Sequence, residues 1–320
     1  MSLIEQAAQR LEQLRKAGVD IHSPSQEESS GPSANGGSEV GGRPAEREGE
    51  GSARPVAPGT GSAAVQTPEV PVSRRVDVNL DVLAASGIVC PNAPRSRKAD
   101  EFRVIKRPLI DNAMGKGAAR IKDGNLIMIT SALPGEGKTF TALNLAVSIA
   151  MELDNTVMLV DADVARPTLL NKMGLAPAKG LLDVLVDDSI SLSHVLLKTN
   201  IEKLTVLPSG TQHPRATELL ASEAMARLLE EMSSRYSDRI IIFDSPPLLV
   251  TTEARTLASH MGQVVIVVNA ERTTHSDVRN ALAAIESCPV RLMLLNQVRT
   301  MGKDEYGYGY GYGYGYSASA

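Results

Sequence analysis

The chain has 320 residues, 42% hydrophobic and 22% charged, with 33 Lys+Arg against 37 Asp+Glu for a formal charge of −4. That balance fits a globular body with a real core and excludes a chain that is disordered or fibrous throughout, and it gives no electrostatic basis for nucleic-acid binding. Trp is absent, Phe occurs three times, and the only cysteines are Cys90 and Cys288, so the core is expected to be aliphatic, and a disulfide framework or paired-cysteine metal site is ruled out in favour of a reducing compartment.

Ile4, Ala7, Leu11 and Leu14 recur at spacings of three and four, which predicts an amphipathic helix within residues 1–22. Charge throughout this stretch excludes a secretory signal. A helix this short is marginal alone, and its seam is expected to dock on the body of the chain or on a partner. Over residues 23–75 about half the positions are Gly, Pro or Ser, and Leu, Ile, Met and aromatic residues are absent. Nothing there offsets the entropy of ordering, so the stretch reads as a disordered linker.

From 76 to 300 short apolar runs alternate with helical stretches, the pattern of a doubly wound, mostly parallel α/β sheet with helices on both faces. The expected strands are Leu126–Thr130, Val157–Asp161, Leu204–Leu207, Ile240–Asp244, Val264–Val268 and Leu292–Asn296. The expected helices are Thr139–Leu153, Thr217–Arg235, Thr252–His260 and His275–Ser287. The longest apolar runs, such as Val264–Val268, fall far short of the roughly 18 residues that span a bilayer, which leads to a cytoplasmic expectation. Residues 301–320 form a flexible tail in which Tyr306, Tyr308, Tyr310, Tyr312, Tyr314 and Tyr316 alternate with Gly, a repeat that cannot build an ordinary helix.

Directly after the first of these strands comes Ser131-Ala-Leu-Pro-Gly-Glu-Gly-Lys-Thr139, followed at once by an Ala-rich helical pattern. Strand, Gly-rich loop, Lys-Thr and helix is the context of a P-loop, here with Ala132 where the first Gly usually stands. Its nucleotide-binding segment is Pro134, Gly135, Glu136, Gly137, Lys138, Thr139 and Phe140. Glycines let amides approach a polyphosphate, and the helix amino terminus adds positive potential. Lys138 is expected to reach the β- and γ-phosphates of ATP and the Thr139 hydroxyl to bind Mg2+. Asp161 and Asp163 end one later strand and Asp244 another, where an acidic side chain faces the phosphate crevice. Asp244 is expected to hold the metal, and Asp161 or Asp163 to orient it or to accept the proton of an attacking hydroxyl. Asn296 ends the last strand and is a candidate for the nucleotide base. None of the five His lies at ligand spacing from another His or a Cys.

SALPGEGKT, LVDADVARP and IIIFDSPP resemble the Walker A, A′ and B motifs of bacterial tyrosine kinases, and LPSGTQHPRATELL is similar to the stretch between the second and third of these. SLIEQAAQRLEQLRKAG, the linker and EFRVIKRPL resemble, more narrowly, the exosortase-associated tyrosine autokinases of exopolysaccharide clusters. The resemblance implies a P-loop fold, transfer of phosphate from Mg2+-ATP to the carboxy-terminal tyrosines of a neighbouring subunit, and a homo-oligomer. It also implies activation by the cytoplasmic tail of an inner-membrane polysaccharide co-polymerase, hence a position peripheral to that membrane, and a cognate tyrosine phosphatase. The subunit-contact motif of the family falls here on Asp100, Arg103 and Lys106, with Lys in place of a second Arg.

Two alternatives stay open. One is a partition or division-site switch ATPase, although Ala132-Leu133-Pro134 lacks the extra Lys those proteins carry early in the loop. The other is a nucleotide-dependent scaffold for polysaccharide machinery.

Overall fold

In the computed structural model of the chain the described residues are 73–91, 96–117, 119–236 and 238–299. The amphipathic segment, nearly all of the linker, and the tail with its six tyrosines lie outside them.

In chain order the elements are β1 (Arg74–Val76), α1 (Leu80–Ala85), α2 (Arg97–Ala113), β2 (Leu126–Ser131), α3 (Lys138–Ala150) and β3 (Thr156–Asp161). Then come α4 (Leu169–Lys172), α5 (Leu181–Val186), α6 (Leu192–Val195), β4 (Leu197–Thr199), β5 (Leu204–Leu207), α7 (Ala216–Leu220) and α8 (Glu223–Arg235). The rest are β6 (Arg239–Asp244), α9 (Glu253–Ala258), β7 (Gln263–Asn269), α10 (His275–Ala283) and β8 (Val290–Asn296). One eight-stranded sheet takes the order β1-β4-β5-β3-β6-β2-β7-β8. Every pair is parallel except β4 with β5.

The period of two along each central strand decides what covers it. Ile127, Ile129, Val157, Leu159, Ile240, Ile242, Val265 and Val267 face a core built with α1 to α4. Met128, Met158, Val160, Ile241, Phe243, Val264 and Ile266 face a second core built with α5 to α10. Strands apolar on both sides need helices on both sides, which is why these runs read as continuous rather than alternating. At β8 the rule lapses: exposed and half-buried residues alternate, and Met293 and Leu295 stand open on the outer edge.

Short polar caps set the helix boundaries. The predicted single helix over Thr217–Arg235 is two, because the Ser222 hydroxyl donates to Leu219 O at 2.7 Å, closing α7, and accepts from Met225 N at 3.2 Å, opening α8. In α10, Thr274 and Asp277 form a reciprocal capping box.

Helix α2 corrects one expectation. Its buried stripe is Phe102, Lys106, Leu109 and Ile110, a spacing of four, three and one that defines a single helical face. Lys106 therefore points inward rather than sharing an exposed face with Asp100 and Arg103. It is 4% exposed, and its ammonium donates to Ser148 O at 2.5 Å and pairs with Glu152 at 2.7 Å. A cation among the last carbonyls of α3 also complements that helix's dipole. Asp100 and Arg103 are exposed and ion-paired with each other, so Lys106 drops out of the subunit-contact set.

Candidate active site

Strand order assembles the site. Chain entering β2 leaves toward β3 on one side, while chain leaving β6 crosses to β7 on the other, so the carboxyl end of β2 is a topological switch point. The last residues of β3 and β6 are paired in register, Asp161 with Asp244, and Asp244 also pairs with Ile129 of β2. Two acidic side chains are thus fixed beside the loop that follows β2.

That loop turns through two left-handed glycines, Gly135 at φ +83° and Gly137 at φ +96°. Gly137 is the residue that opens α3, and a Cβ there would collide with the Asn296 amide, so glycine is required twice over. Lys138, the first residue of α3, is buried at 8% exposure, and Thr139 follows half-buried on the same turn. The loop after β6 is bonded back along β2: Ser245 N and Oγ both donate to Ile129 O, and Leu248 N donates to Ser131 O at 2.9 Å. Asp244 cannot drift from the phosphate loop without breaking these bonds.

Asp161 and Asp244 are each 1% exposed. The Asp161 Oδ2 atom accepts from Leu169 N at 3.3 Å, while Asp161 Oδ1 and Asp244 Oδ1 have no hydrogen-bond partner. Burial, and then the facing Asp244 charge, hold the Asp161 carboxyl above the usual range. Burial does the same to Asp244, although the Thr139 hydroxyl and the Lys138 ammonium oppose it. Asp163 sits half-buried at the rim with a raised pKa, caused by burial and countered by Lys138, and accepts from Arg166 N at 3.2 Å.

Two buried, unpartnered carboxylate oxygens beside a threonine hydroxyl suit a hard divalent cation. Among the described residues no group of three or more His, Cys, Asp or Glu gathers as a metal cage. Two side-chain carboxylates and one hydroxyl are a donor set that suits Mg2+, an ion that keeps phosphate and water ligands beside a few protein oxygens.

Other predicted residues lie elsewhere. The Glu136 side chain turns away from the crevice, accepting from Leu133 N at 2.8 Å and from the Thr273 hydroxyl, so only its backbone remains for phosphate. Phe140 packs with the core on the α1–α2 side, its ring 5.2 Å from the Lys98 ammonium, and likewise offers only its amide. The Asn296 amide nitrogen is committed to Glu136 O at 2.9 Å. Pro134 and Gly135 are exposed at the crown of the loop.

Beside Asp161 opens a cavity of about 680 Å³, lined by Pro167, Leu170, Ala178, Ser209 and Thr211 among others. Its wall is pinned by a residue the sequence reading did not single out. Asp183 of α5 accepts from Gly180 N at 2.8 Å and Thr211 N at 2.9 Å, clasping the 208–212 loop onto the start of that helix. Burial alone would raise its pKa; these two amides, together with the Thr211 hydroxyl and the Lys179 charge, outweigh it and hold the carboxyl below its usual range. The contact needs Gly180, since a Cβ there would collide with Pro208 O. Thr273 was missed in the same way: locally it belongs to a TTHSD capping pattern, and its reach to the phosphate loop, 137 residues away, leaves no mark in the sequence.

A family model described as an AAA domain matches residues 124–295. The chain is 32% identical over 222 residues to tyrosine-protein kinase YwqD of Bacillus subtilis (strain 168), covering 69% of this chain and 90% of that one. It is 30% identical over 187 residues to tyrosine-protein kinase wzc of Salmonella typhimurium, covering 57% of this chain but only 26% of that protein. Among solved structures, the kinase domain of the Escherichia coli tyrosine kinase ETK matches with TM-score 0.54 at 26% identity, over 72% of this chain and 97% of that one. The chimerical protein CapA2B2 matches with TM-score 0.54 at 28% identity, over 70% and 93%. With the phosphate loop and the strand-end Asp161, Asp163 and Asp244 inside the matched region, the chain belongs to the bacterial tyrosine-protein kinases.

Proposed function

We propose that the chain is an ATP-dependent tyrosine autokinase whose acceptors are Tyr306, Tyr308, Tyr310, Tyr312, Tyr314 and Tyr316 of a neighbouring copy, and that it serves exopolysaccharide polymerisation or export. The observation that carries this reading is one crevice holding Lys138, Thr139, Asp161, Asp163 and Asp244, in a chain that also ends in a Tyr-Gly cluster.

The amides of Gly135 to Thr139 cradle the phosphates at the amino terminus of α3. Lys138 neutralises the β- and γ-phosphate oxygens. Thr139, Asp161 and Asp244 hold Mg2+, which supplies charge neutralisation on the transferred phosphoryl group. A tyrosine ring enters the cavity beside Asp161, where Pro167, Leu170 and Ala178 offer an apolar wall. Its phenolic oxygen attacks the γ-phosphorus in line, and the bond from that phosphorus to the β,γ-bridging oxygen breaks. ADP departs with the electron pair, leaving a phosphotyrosine ester. Asp163, half-buried at the rim of the crevice, takes the phenolic proton late in the step, since a phenol of pKa near 10 is a poor nucleophile until the proton moves.

Oligomer contact through the exposed Asp100 and Arg103, activation by the cytoplasmic tail of an inner-membrane polysaccharide co-polymerase, a location beneath that membrane and a cognate tyrosine phosphatase complete the proposal. Among the described residues no helix is long and apolar enough to cross a membrane. Transfer between copies is tested by mixing a full-length Lys138→Met chain with an active chain whose six tail tyrosines are replaced by Phe. Phosphotyrosine on the Lys138→Met chain is expected. Its absence, with the wild-type chain phosphorylating itself at a rate independent of concentration, would overturn transfer in trans.

A further inference from the structure

A glutamate inside a phosphate-binding loop calls for an explanation, because a carboxylate facing a polyphosphate repels it. Glu136 is 3% exposed and fully engaged away from the crevice. One oxygen accepts from Leu133 N at 2.8 Å, closing the crown of the loop on itself, and the other accepts from the Thr273 hydroxyl in the turn after β7. Thr273 Oγ1 in turn accepts from Asn269 N at 2.9 Å. A second line runs from the end of β8. The Asn296 amide donates to Glu136 O at 2.9 Å, Gln297 reaches Gly135 O at 3.4 Å, and Asn269 Nδ2 donates to Gln297 Oε1 at 2.7 Å. Asn269, 3% exposed, thus ties the two lines together at the point where β7 and β8 pair Asn269 with Asn296.

Packing does not explain the shape of the crown. Pro134 and Gly135 are exposed, and a Cβ placed on Gly135 would meet nothing within 4 Å. What fixes the loop is this set of polar tethers, which turns the carbonyls of Gly135 and Glu136 outward toward β8. Carbonyls held outward leave the amides of the same peptide groups turned inward, the arrangement a phosphate needs.

We propose that Glu136, Thr273, Asn269 and Asn296 form a latch that presets the nucleotide loop, with Thr273 and Asn296 acting as positioning residues rather than as contacts to the nucleotide. The inference rests on the reading of this loop as the nucleotide site. A preset loop holds the phosphates equally before and during transfer, so loss of the latch weakens binding without touching the chemical step.

The test uses the full-length chain as wild type, Thr273→Val, Thr273→Ser and Asn296→Ala. ADP with Mg2+ is titrated calorimetrically, KM for ATP and kcat are measured for tail phosphorylation, and thermal melts report folding. Thr273→Val keeps the shape and removes the hydroxyl; Kd for ADP and KM for ATP are expected to rise about tenfold, with kcat changed less than twofold. Asn296→Ala is expected to follow it, and Thr273→Ser to restore wild-type values. Unchanged nucleotide affinity in a folded Thr273→Val chain would overturn the latch and leave the kinase reading intact, as would a fall in kcat at constant KM. Failure of the wild-type chain to bind ADP would overturn the nucleotide site itself. ADP binding without tail phosphorylation would overturn only the kinase reading, with the Kd series still deciding the latch.

Discussion

Asp161 and Asp244 show what it takes to keep two carboxylates side by side in a core. Each has an oxygen without a hydrogen-bond partner, and burial holds both above the ordinary carboxylate range. A raised folded-state pKa means that the folded chain binds more protons than the unfolded one between the ordinary value near 4 and the folded value. Without divalent cation, stability is therefore expected to fall as pH rises across that window. Magnesium requires both groups ionised, so its effect runs the other way: the Kd for Mg2+-nucleotide is expected to fall several-fold between pH 6 and pH 8. Calorimetric titration and thermal melts across that range check both signs, and Asp161→Asn is expected to flatten the pH dependence of the melt. These residues were legible in the sequence because each is the last residue of an apolar strand, a place defined by a local pattern. Thr273 and Asp183 were not, since the partners that give them their roles, Glu136 and Thr211, lie 137 and 28 residues away and nothing local records the meeting.

Elements are held by a few polar ties set into an aliphatic packing. The Lys106–Glu152 pair fixes α2 across the end of α3, with Lys106 also on Ser148 O. The Lys106 hydrogen bond is the main reason the Glu152 carboxyl titrates below its usual range. Glu152→Ala strands the buried ammonium and is expected to cost about 2 kcal/mol, less than a fully buried pair because the Glu152 side chain is 24% exposed. Lys106→Met keeps the stem in the apolar stripe and removes the charge, so it is expected to cost less than Glu152→Ala. Urea unfolding of both variants checks the order, and the reverse order would contradict the burial argument. The six apolar runs were legible as strands from their Val, Ile and Leu content and their length, although β8, with Met293 and Leu295 exposed, is not covered on both faces as the others are. The two-helix break at Ser222 was hidden, because a serine between two helical periodicities reads equally as an interior residue. The short helices α4 to α6, of four to six residues, carry no periodicity to read.

At the scale of the whole molecule, strand order is the property that makes function, and it is what a single sequence conceals most. The motifs are spread over more than a hundred residues from Ser131 to Asp244, yet β3, β6 and β2 are adjacent, so the ends of all three strands meet. Nothing in the runs themselves says that β6 lies between β3 and β2; the acidic strand ends hinted at it only because a P-loop requires acidic partners. The order also brings the end of β8 to the phosphate loop, through Asn296 and Gln297, ten residues before the first tail tyrosine. The most direct test of the account is intact-mass analysis of the full-length chain after incubation with ATP and Mg2+, with and without the cytoplasmic segment of a polysaccharide co-polymerase, beside a Lys138→Met control. The account predicts stepwise phosphate additions confined to Tyr306–Tyr316 and absent from the control. ATP hydrolysis without any gain of mass in either condition would contradict it and point to a switch ATPase.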